Sequence, residues 1–262
     1  MLPYAPLHYV LFEMIKRNSG SDKLPALVMT SANLSEEPIA ISNEEAKLRL
    51  KNIADAFLFH DRDILIRADD SVLVNVNGKN RTLRRSRGYV PKPLPLLKKV
   101  PSILGLGAEL KNTICITKGK NAFVSQHIGD LTNLRAFDFF KETIEHTQKL
   151  IDTNAEYFAV DLHPDYLSSK WGREKIENRI FEVQHHHAHL ASCMLENNLD
   201  EKVIGLILDG TGYGYDETIW GGEILIGDYT EFERFAHLEQ LPLPGGDAAA
   251  KEPWRAALRK AL

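Results

Sequence analysis

Four of the ten histidines of this 262-residue chain fall within five positions, in the run "FEVQHHHAHLASCML": His185, His186, His187 and His189. Neutral imidazole is the commonest side-chain ligand of transition metals. On a helix, residues four apart share a face with Cβ atoms about 5–6 Å apart, close enough for both to hold one ion. His185 and His189 have that spacing, whereas His186 and His187 point elsewhere on such a helix. A surface histidine cluster is the plainer alternative. A metal site here needs a further ligand, and a carboxylate is the expected type.

Two glycine turns could hold phosphate. "LGLGAELKNT" places Gly105 and Gly107 directly after an apolar strand, with Lys111, Asn112 and Thr113 following. "LDGTGYG" does the same with Asp209, Gly210, Thr211, Gly212 and Gly214. Glycine lets backbone N–H groups approach an anion closely, and a nest of such groups binds it. Neither sequence is a Walker A loop or a dinucleotide fingerprint, so a simple β-turn is the alternative for each. Asp209, at a strand end beside glycines, could hold a metal or orient a nucleophile. In "MTSANLSEEP", Ser31 and Asn33 could bond phosphate or ribose oxygens, or form a turn or cap. Arg67 and the group Arg81, Arg84, Arg85 and Arg87 are candidate anion clamps, since guanidinium grips phosphate and carboxylate through two parallel bonds. The same arginines also fit a solvated basic linker.

The elements that must position these groups read as follows. Leu7–Lys16 is helical. "ALVMTSAN" (26–33) and "AFLFHD" (56–61) read as strands, and Ser42–Leu50 as a helix with Ser42 and Glu45 at capping-box spacing. "SVLVNVNG" alternates and reads as a strand before a turn. The segment 82–101 carries Pro91, Pro93, Pro95 and Pro101, which excludes a helix or central strand and marks a boundary. Beyond it come three strands joined by tight turns ("SILGLGAEL", "NTICITKG", "NAFVSQHIG"). An amphipathic helix then runs over 134–152, with Phe137, Phe140, Ile144, Thr147 and Ile151 at helical spacing. "YFAVDLHP" is a buried strand, "YLSSKWGREKIEN" a helix, "IFEVQ" a strand and "HAHLASCMLENN" a helix. "VIGLILDGTGYG" and "IWGGEILIGDY" then repeat the opening pattern of strand, glycine turn, strand. Such a duplication is typical of the actin/Hsp70/sugar-kinase architecture, two ribonuclease-H-like lobes about a nucleotide cleft.

Composition narrows the class. At 44% hydrophobic and 26% charged residues the chain is globular. A net charge of −4 gives no reason to expect a nucleic-acid partner, and "RTLRRSRGYV" interleaves only Tyr89 as an aromatic. No apolar run reaches the ~18 residues of a membrane span, and "MLPYAPLHYVLF" lacks the features of a signal peptide. Cys115 and Cys193 have no metal-type spacing; with no secretion signal they predict a cytoplasmic protein. The start on a Pro-Tyr-Ala-Pro turn and the end on an incomplete helix predict a piece of a longer protein.

The order of motifs carries a resemblance. "LPYAPLHYVLF", "LVMTSANLSEEPI", "FLFHDRDILIRADDSV" and "LRRSRGYVP" resemble the latter part of the YrdC-like domain of the hydrogenase-maturation carbamoyltransferases, the HypF family. "ILGLGAELKNT", "VSQHIGDL", "VDLHPDY", "QHHHAHLASCM" and "LDGTGYGYD…IWGGE" resemble the next domain of that family. That domain is similar to the carbamoyl-transferring enzyme of tRNA threonylcarbamoyladenosine synthesis. The resemblance implies an α/β chain: the end of a YrdC-like domain over 1–95, then a carbamoyltransferase domain over 96–262. The latter comprises a ribonuclease-H-like first lobe and the start of a second lobe, most of which is missing. The acylphosphatase part and CxxC zinc fingers of the family are absent from the sequence.

The resemblance also implies a chemistry. Carbamoyl phosphate and ATP, with Mg²⁺, give carbamoyl-adenylate, and the carbamoyl group passes to the C-terminal cysteine of a partner, HypE, as the precursor of the cyanide ligand of [NiFe]-hydrogenase. It assigns Ser31, Asn33, Arg67, Arg84, Arg87, Asn112, Gly210, Thr211 and Gly212 to nucleotide contacts. Lys111 and Asp209 are assigned to catalysis, and His185 and His189 to a divalent metal, zinc or iron. Two sites facing a shared closed chamber would shield a reactive adenylate from water. The rival readings are a fused threonylcarbamoyl-tRNA enzyme, an inactive nucleotide- or partner-binding piece, and a sugar kinase, whose architecture fits but which leaves the histidines unexplained.

Overall fold

The computed structural model describes residues 3, 5–20, 26–35, 37–176, 178–240, 243–246, 248–249 and 252–260. It divides into two compact units, Met1–Asp69 and Asp70–Leu262.

The first unit holds α1 (Pro6–Ser19) and α2 (Asn43–Leu50). Proline opens α1, where its missing N–H costs nothing, and Gly20 closes it in the left-handed region. Ser42 caps α2 by accepting the Glu45 N–H at 3.0 Å, and the Glu45 carboxylate reaches back to the Ile41 N–H at 3.0 Å. Among the described residues of this unit only Ala40 is buried. Its centre is ionic instead. The Arg49 guanidinium, 4% exposed, meets Glu45 at 2.6 Å, Glu37 at 2.8 Å and the Pro38 carbonyl at 2.7 Å. The strands expected at 26–33 and 56–61 do not form over the described residues. Val28 is fully exposed and Leu58 is 77% exposed. An apolar run becomes a strand only when a ladder partner takes its N–H and C=O groups, and among the described residues these segments form no ladder.

The second unit opens with a hairpin, β1 (Val72–Val76) and β2 (Lys79–Arg84). A five-stranded sheet follows in the order β3-β5-β4-β6-β7: β3 (Leu94–Val100), β4 (Ile103–Gly105), β5 (Cys115–Val124), β6 (Tyr157–Asp161) and β7 (Ile180–Val183). The proline-rich segment does supply a strand, β3, but at the sheet edge, where proline is tolerated. β5 cannot be one straight strand, because the Ser125 N–H bonds the Ile114 carbonyl at 2.8 Å. It folds back near Gly119, so its first half pairs with β4 and its second half with β3. β4, β6 and β7 run parallel.

Helix α3 (Leu134–Leu150) crosses between β5 and β6, capped by Asn133, whose side chain accepts the Ala136 N–H at 2.9 Å. It buries Ala136, Phe139, Phe140, Thr143, Ile144 and Thr147. Phe140 and Ile144 join Leu104, Leu106, Ile114, Ile116 and Val160 in the main core. Each such side chain contributes about 1.5–3 kcal/mol by leaving water.

Helix α4 (Leu167–Lys175) returns along β6 and presents Gly172 to it. A Cβ there would stand 2.6 Å from Leu106 Cδ1 and 2.7 Å from Val160 Cγ1. Gly172→Ala is therefore expected to destabilise the second unit by about 1–3 kcal/mol through overpacking, a shift in the urea midpoint at unchanged slope.

After β7 the chain enters α5 (His185–Glu196), then a second sheet of order β12-β11-β8: β8 (Val203–Ile207), β11 (Glu223–Gly227) and β12 (Phe232–His237). Between β8 and β11 projects a ribbon of β9 (Gly212–Tyr213) and β10 (Ile219–Trp220). The recurrence read in the sequence is realised as two antiparallel hairpin openings, β4 into β5 and β8 into β11. Leu190 and Met194 of α5 pack on Ile207 and Leu225, so this helix leaves the first sheet and settles on the second. A last helix, α6, spans Trp254–Lys260. No helix among the described residues is long and apolar enough to cross a membrane.

Candidate metal centre

The parallel strands β4, β6 and β7 end together, and the loops at their carboxyl ends carry the polar groups, as is usual in open α/β sheets. β6 ends on Asp161. β7 runs into Gln184, whose side chain caps α5 by accepting the His187 N–H at 3.0 Å. The cap fixes His185 as the first helical residue, two positions earlier than the sequence pattern indicated, and sets His189 one turn on.

The histidine run divides by face. His185 Nε2 and His189 Nε2 lie 3.3 Å apart. Asp209, just beyond β8, places Oδ2 2.8 Å from His185 Nε2 and 3.6 Å from His189 Nε2. His186 turns inward and is fully buried; its Nδ1 faces the Gln184 amide at 3.1 Å, and the same amide nitrogen donates to the Tyr213 carbonyl. Burial first, then the charge on His185, pushes the His186 imidazole down and keeps it neutral. His187 Nε2 reaches the Asp228 carbonyl at 2.7 Å.

His185 has a carboxylate at each ring nitrogen, since Asp161 Oδ2 stands 2.7 Å from Nδ1. Hydrogen bonding first to Asp161 and then to Asp209 raises its proton affinity well above the ordinary imidazole range, against the opposing effect of burial. His185 and His189 in turn hold the Asp209 carboxyl far below the usual carboxylate range. A neutral imidazole has one N–H and can serve only one of two carboxylates. Asp209 Oδ2 is buried 2.8 Å from His185 Nε2, and its charge is met there either by a second ring proton or by a cation.

The donor set fits a cation. Bonds of about 2.1 Å to a tetrahedral ion separate neighbouring ligand atoms by about 3.4 Å. The three separations here are 2.8, 3.3 and 3.6 Å. Two imidazoles and one carboxylate suit zinc or ferrous iron, and His185, His189 and Asp209 are the group among the described residues with converging ligand atoms.

Gly212 is needed where the second glycine turn touches this helix. A Cβ there would stand 2.5 Å from His186 Cε1 and 3.0 Å from His185 Cβ. Gly210 and Thr211 are exposed at the same turn. In the first turn, Lys111 is exposed in the left-handed region, its N–H bonded to Asp130. Asn112 is buried, and its amide ties the turn together through the Leu106 and Ala108 carbonyls at 2.8 and 2.6 Å. The remaining residues singled out in the sequence lie outside this cluster. Ser31 donates to Asn33 Oδ1, and the Asn33 amide bonds the Leu34 and Glu37 carbonyls. Arg67 donates to the Ile39 carbonyl at 2.8 Å, with Glu45 at 3.6 Å. Arg84 lies on β2 opposite Val72, and Arg87 pairs with Asp70.

Asp161 was not singled out by sequence reasoning. Its signal was an acidic residue closing a buried strand, in "YFAVDLHP".

Comparison with known proteins gives the same picture over the whole chain. The family described as "HypF Kae1-like domain" matches residues 98–196, and "Carbamoyltransferase, Kae1-like Domain, second subdomain" matches 205–262. The family described as "Telomere recombination", the Sua5/YciO/YrdC family, matches 1–86. "Carbamoyltransferase HypF2" of Cupriavidus necator is 46% identical over 98% of this chain and 33% of its own length. "Carbamoyltransferase HypF" of Rhizobium leguminosarum bv. viciae is 47% identical over 97% of this chain and 33% of its own.

The chain belongs to the HypF carbamoyltransferase family.

A crystal structure of full-length HypF in the phosphate- and nucleotide-bound form superposes with a TM-score of 0.90. It is 52% identical and covers 98% of this chain and 40% of that one. This HypF-family chain thus spans about a third of the length of the curated relatives it matches. Its α/β architecture, a YrdC-like segment followed by a Kae1-like domain, is that of the family.

Proposed function

We propose that this chain supplies metal- and nucleotide-binding elements of an ATP-dependent, AMP-forming carbamoyltransferase of [NiFe]-hydrogenase maturation. In this reading carbamoyl phosphate is hydrolysed to carbamate and phosphate, and carbamate and ATP, with Mg²⁺, yield carbamoyl-adenylate and pyrophosphate. The carbamoyl group passes to the C-terminal cysteine thiol of HypE in the cytoplasm, releasing AMP and the thiol proton. The observation that carries it is the convergence of His185, His189 and Asp209 beside the second glycine turn, in a chain whose relatives are named carbamoyltransferases.

A bound divalent ion, zinc or iron, would polarise the acyl carbonyl or hold the phosphate and offset charge developing on either. The chain's own residues set the stage for that. His185, His189 and Asp209 would hold the ion through Nε2, Nε2 and Oδ2. The exposed backbone at Gly210 and Thr211 offers N–H groups to phosphate oxygens. Lys111, exposed on the first glycine turn, offers positive charge to the leaving AMP. Ser31, Asn33, Arg67, Arg84, Arg87 and Asn112 are held for nucleotide contacts in the YrdC-like and transferase sites less directly. The side chains of Asn33 and Asn112 already bond within their own loops, and that of Arg67 bonds the Ile39 carbonyl.

The test uses this chain joined to the remaining segments of a full-length relative. AMP formation from ATP is followed with carbamoyl phosphate, with and without HypE. Carbamoylated HypE, identified by mass, is the expected product. AMP formation that depends on tRNA and threonine instead would replace this reading with the threonylcarbamoyl one.

A further inference from the structure

Two carboxylates flank one imidazole, and their surroundings differ. The Asp161 side chain is 7% exposed and lies behind the ring, while that of Asp209 is 31% exposed and lies beside His189. The other oxygen of Asp161, Oδ1, accepts the His163 N–H at 2.9 Å, and its backbone carbonyl accepts the Ser169 hydroxyl at 3.0 Å. The carboxylate is therefore engaged at both oxygens, and the Ser169 bond pins the backbone that carries it, at the end of β6 on the first sheet. Asp209 lies just beyond β8, on the second.

We propose that Asp161 is a positioning residue for the metal centre: it holds the Nδ1 proton of His185, so that the Nε2 lone pair is aimed at the ion shared with His189 and Asp209. This inference rests on the metal reading of the His185–His189–Asp209 cluster. Its physical content is the tautomer. With Nδ1–H committed to a buried acceptor 2.7 Å away, the ring presents only a lone pair at Nε2. A carboxylate behind the ring also increases the donor strength of Nε2 and removes the rotational freedom about χ2 that binding would otherwise have to freeze. The arrangement exists because β6 and β7 pair in parallel with Asp161 opposite Val183, two residues before His185. That register brings the end of one strand against the first turn of the helix that follows the next.

The experiment measures Zn²⁺ affinity by competition with a chromophoric chelator. It compares this chain, Asp161→Ala, Asp161→Asn and the His185→Ala/His189→Ala double variant. Outer-sphere partners of this kind are worth about 10–100-fold in metal affinity, and a loss of that size is expected in both Asp161 variants. Long-range ¹H–¹⁵N spectra of the Zn²⁺-loaded chain are expected to show a protected proton on His185 Nδ1, lost or exchanging with water in Asp161→Ala. A purely structural Asp161 would not move that signal. Asp161→Asn is nearly isosteric, so it decides the matter if the alanine variant does not fold. Unchanged Zn²⁺ affinity in Asp161→Asn, with binding abolished in the double histidine variant, overturns the proposal and leaves the metal reading standing. Unchanged affinity in the double histidine variant overturns both.

Discussion

A chain carrying His185→Ala and His189→Ala is expected to lose more than about a hundredfold in affinity for zinc or ferrous iron. Removing two inner ligands must exceed the ~10–100-fold that an outer-sphere partner is worth. The geometry explains why the loss should be so complete. Only three converging donors are present among the described residues, and two of them are these rings. With both gone, Asp209 alone faces any cation, a weak monodentate carboxylate site on the surface side of the turn. Metal content after gel filtration, read by elemental analysis, checks the outcome. Retention of one equivalent would remove the foundation of the proposed chemistry. The helix should survive, because His189 is exposed and the apolar packing of α5 rests on Leu190 and Met194, although loss of His185 leaves the buried Asp161 carboxylate without its ring partner and lowers stability. An unchanged circular dichroism spectrum is expected alongside the metal loss.

The second large effect concerns stability. Glu223 opens β11 with its side chain fully buried. Arg234 on β12 grips it at 2.7 and 2.8 Å, and the Gly221 N–H adds a third bond at 2.9 Å. The guanidinium also lies 4.0 Å above the Trp220 ring. Removing one member of a buried pair strands the other, at about 3–5 kcal/mol. Glu223→Ala is therefore expected to lower the urea midpoint by that equivalent, a large share of the ~5–15 kcal/mol that holds a domain folded. A Glu223→Leu/Arg234→Met double variant should recover most of the loss, because no charge is left unpaired. A double variant as unstable as Glu223→Ala would show that packing, not charge, was lost.

The same pair fixes the sign of a pH effect. Burial pulls the Glu223 carboxyl up, but the hydrogen bonds and charge of Arg234 and the Gly221 N–H outweigh it, and the net shift is downward. A group whose proton affinity falls on folding stabilises the fold above its unfolded value, about 4.3, and loses that contribution as pH drops through the folded value. The stability difference between the natural chain and Glu223→Gln should be constant above about pH 5 and shrink in more acid solution.

The parts of this chain that local spacing determines were legible in its sequence. The four-residue interval of His185 and His189 needs only a helix, and the recurring strand–glycine–strand openings need only hairpins. Asp161 was hidden because its meeting with His185 depends on the parallel register of β6 and β7, set by Phe158 against Ile180. Parallel pairing across an intervening helix leaves no local trace. Asp209 was flagged as a carboxylate beside glycines, but its union with the histidines required α5 to cross from one sheet to the other. The failed strands at 26–33 and 56–61 have the opposite cause. Their apolar residues announce burial, yet Val28 and Leu58 stand in solvent. Pattern records what a segment would do with partners, and hydrogen-bonding partners are supplied by other segments.

Helix α5 leaves the first sheet at His185 and lays Leu190 and Met194 on the second. Two of the candidate ligands ride on that helix, and the third stands just beyond the strand that opens the other sheet. An ion seated there would work as a button through two layers of cloth. Sliding one sheet past the other must either stretch its bonds or release it, so the fit of the ion registers how the two layers are aligned.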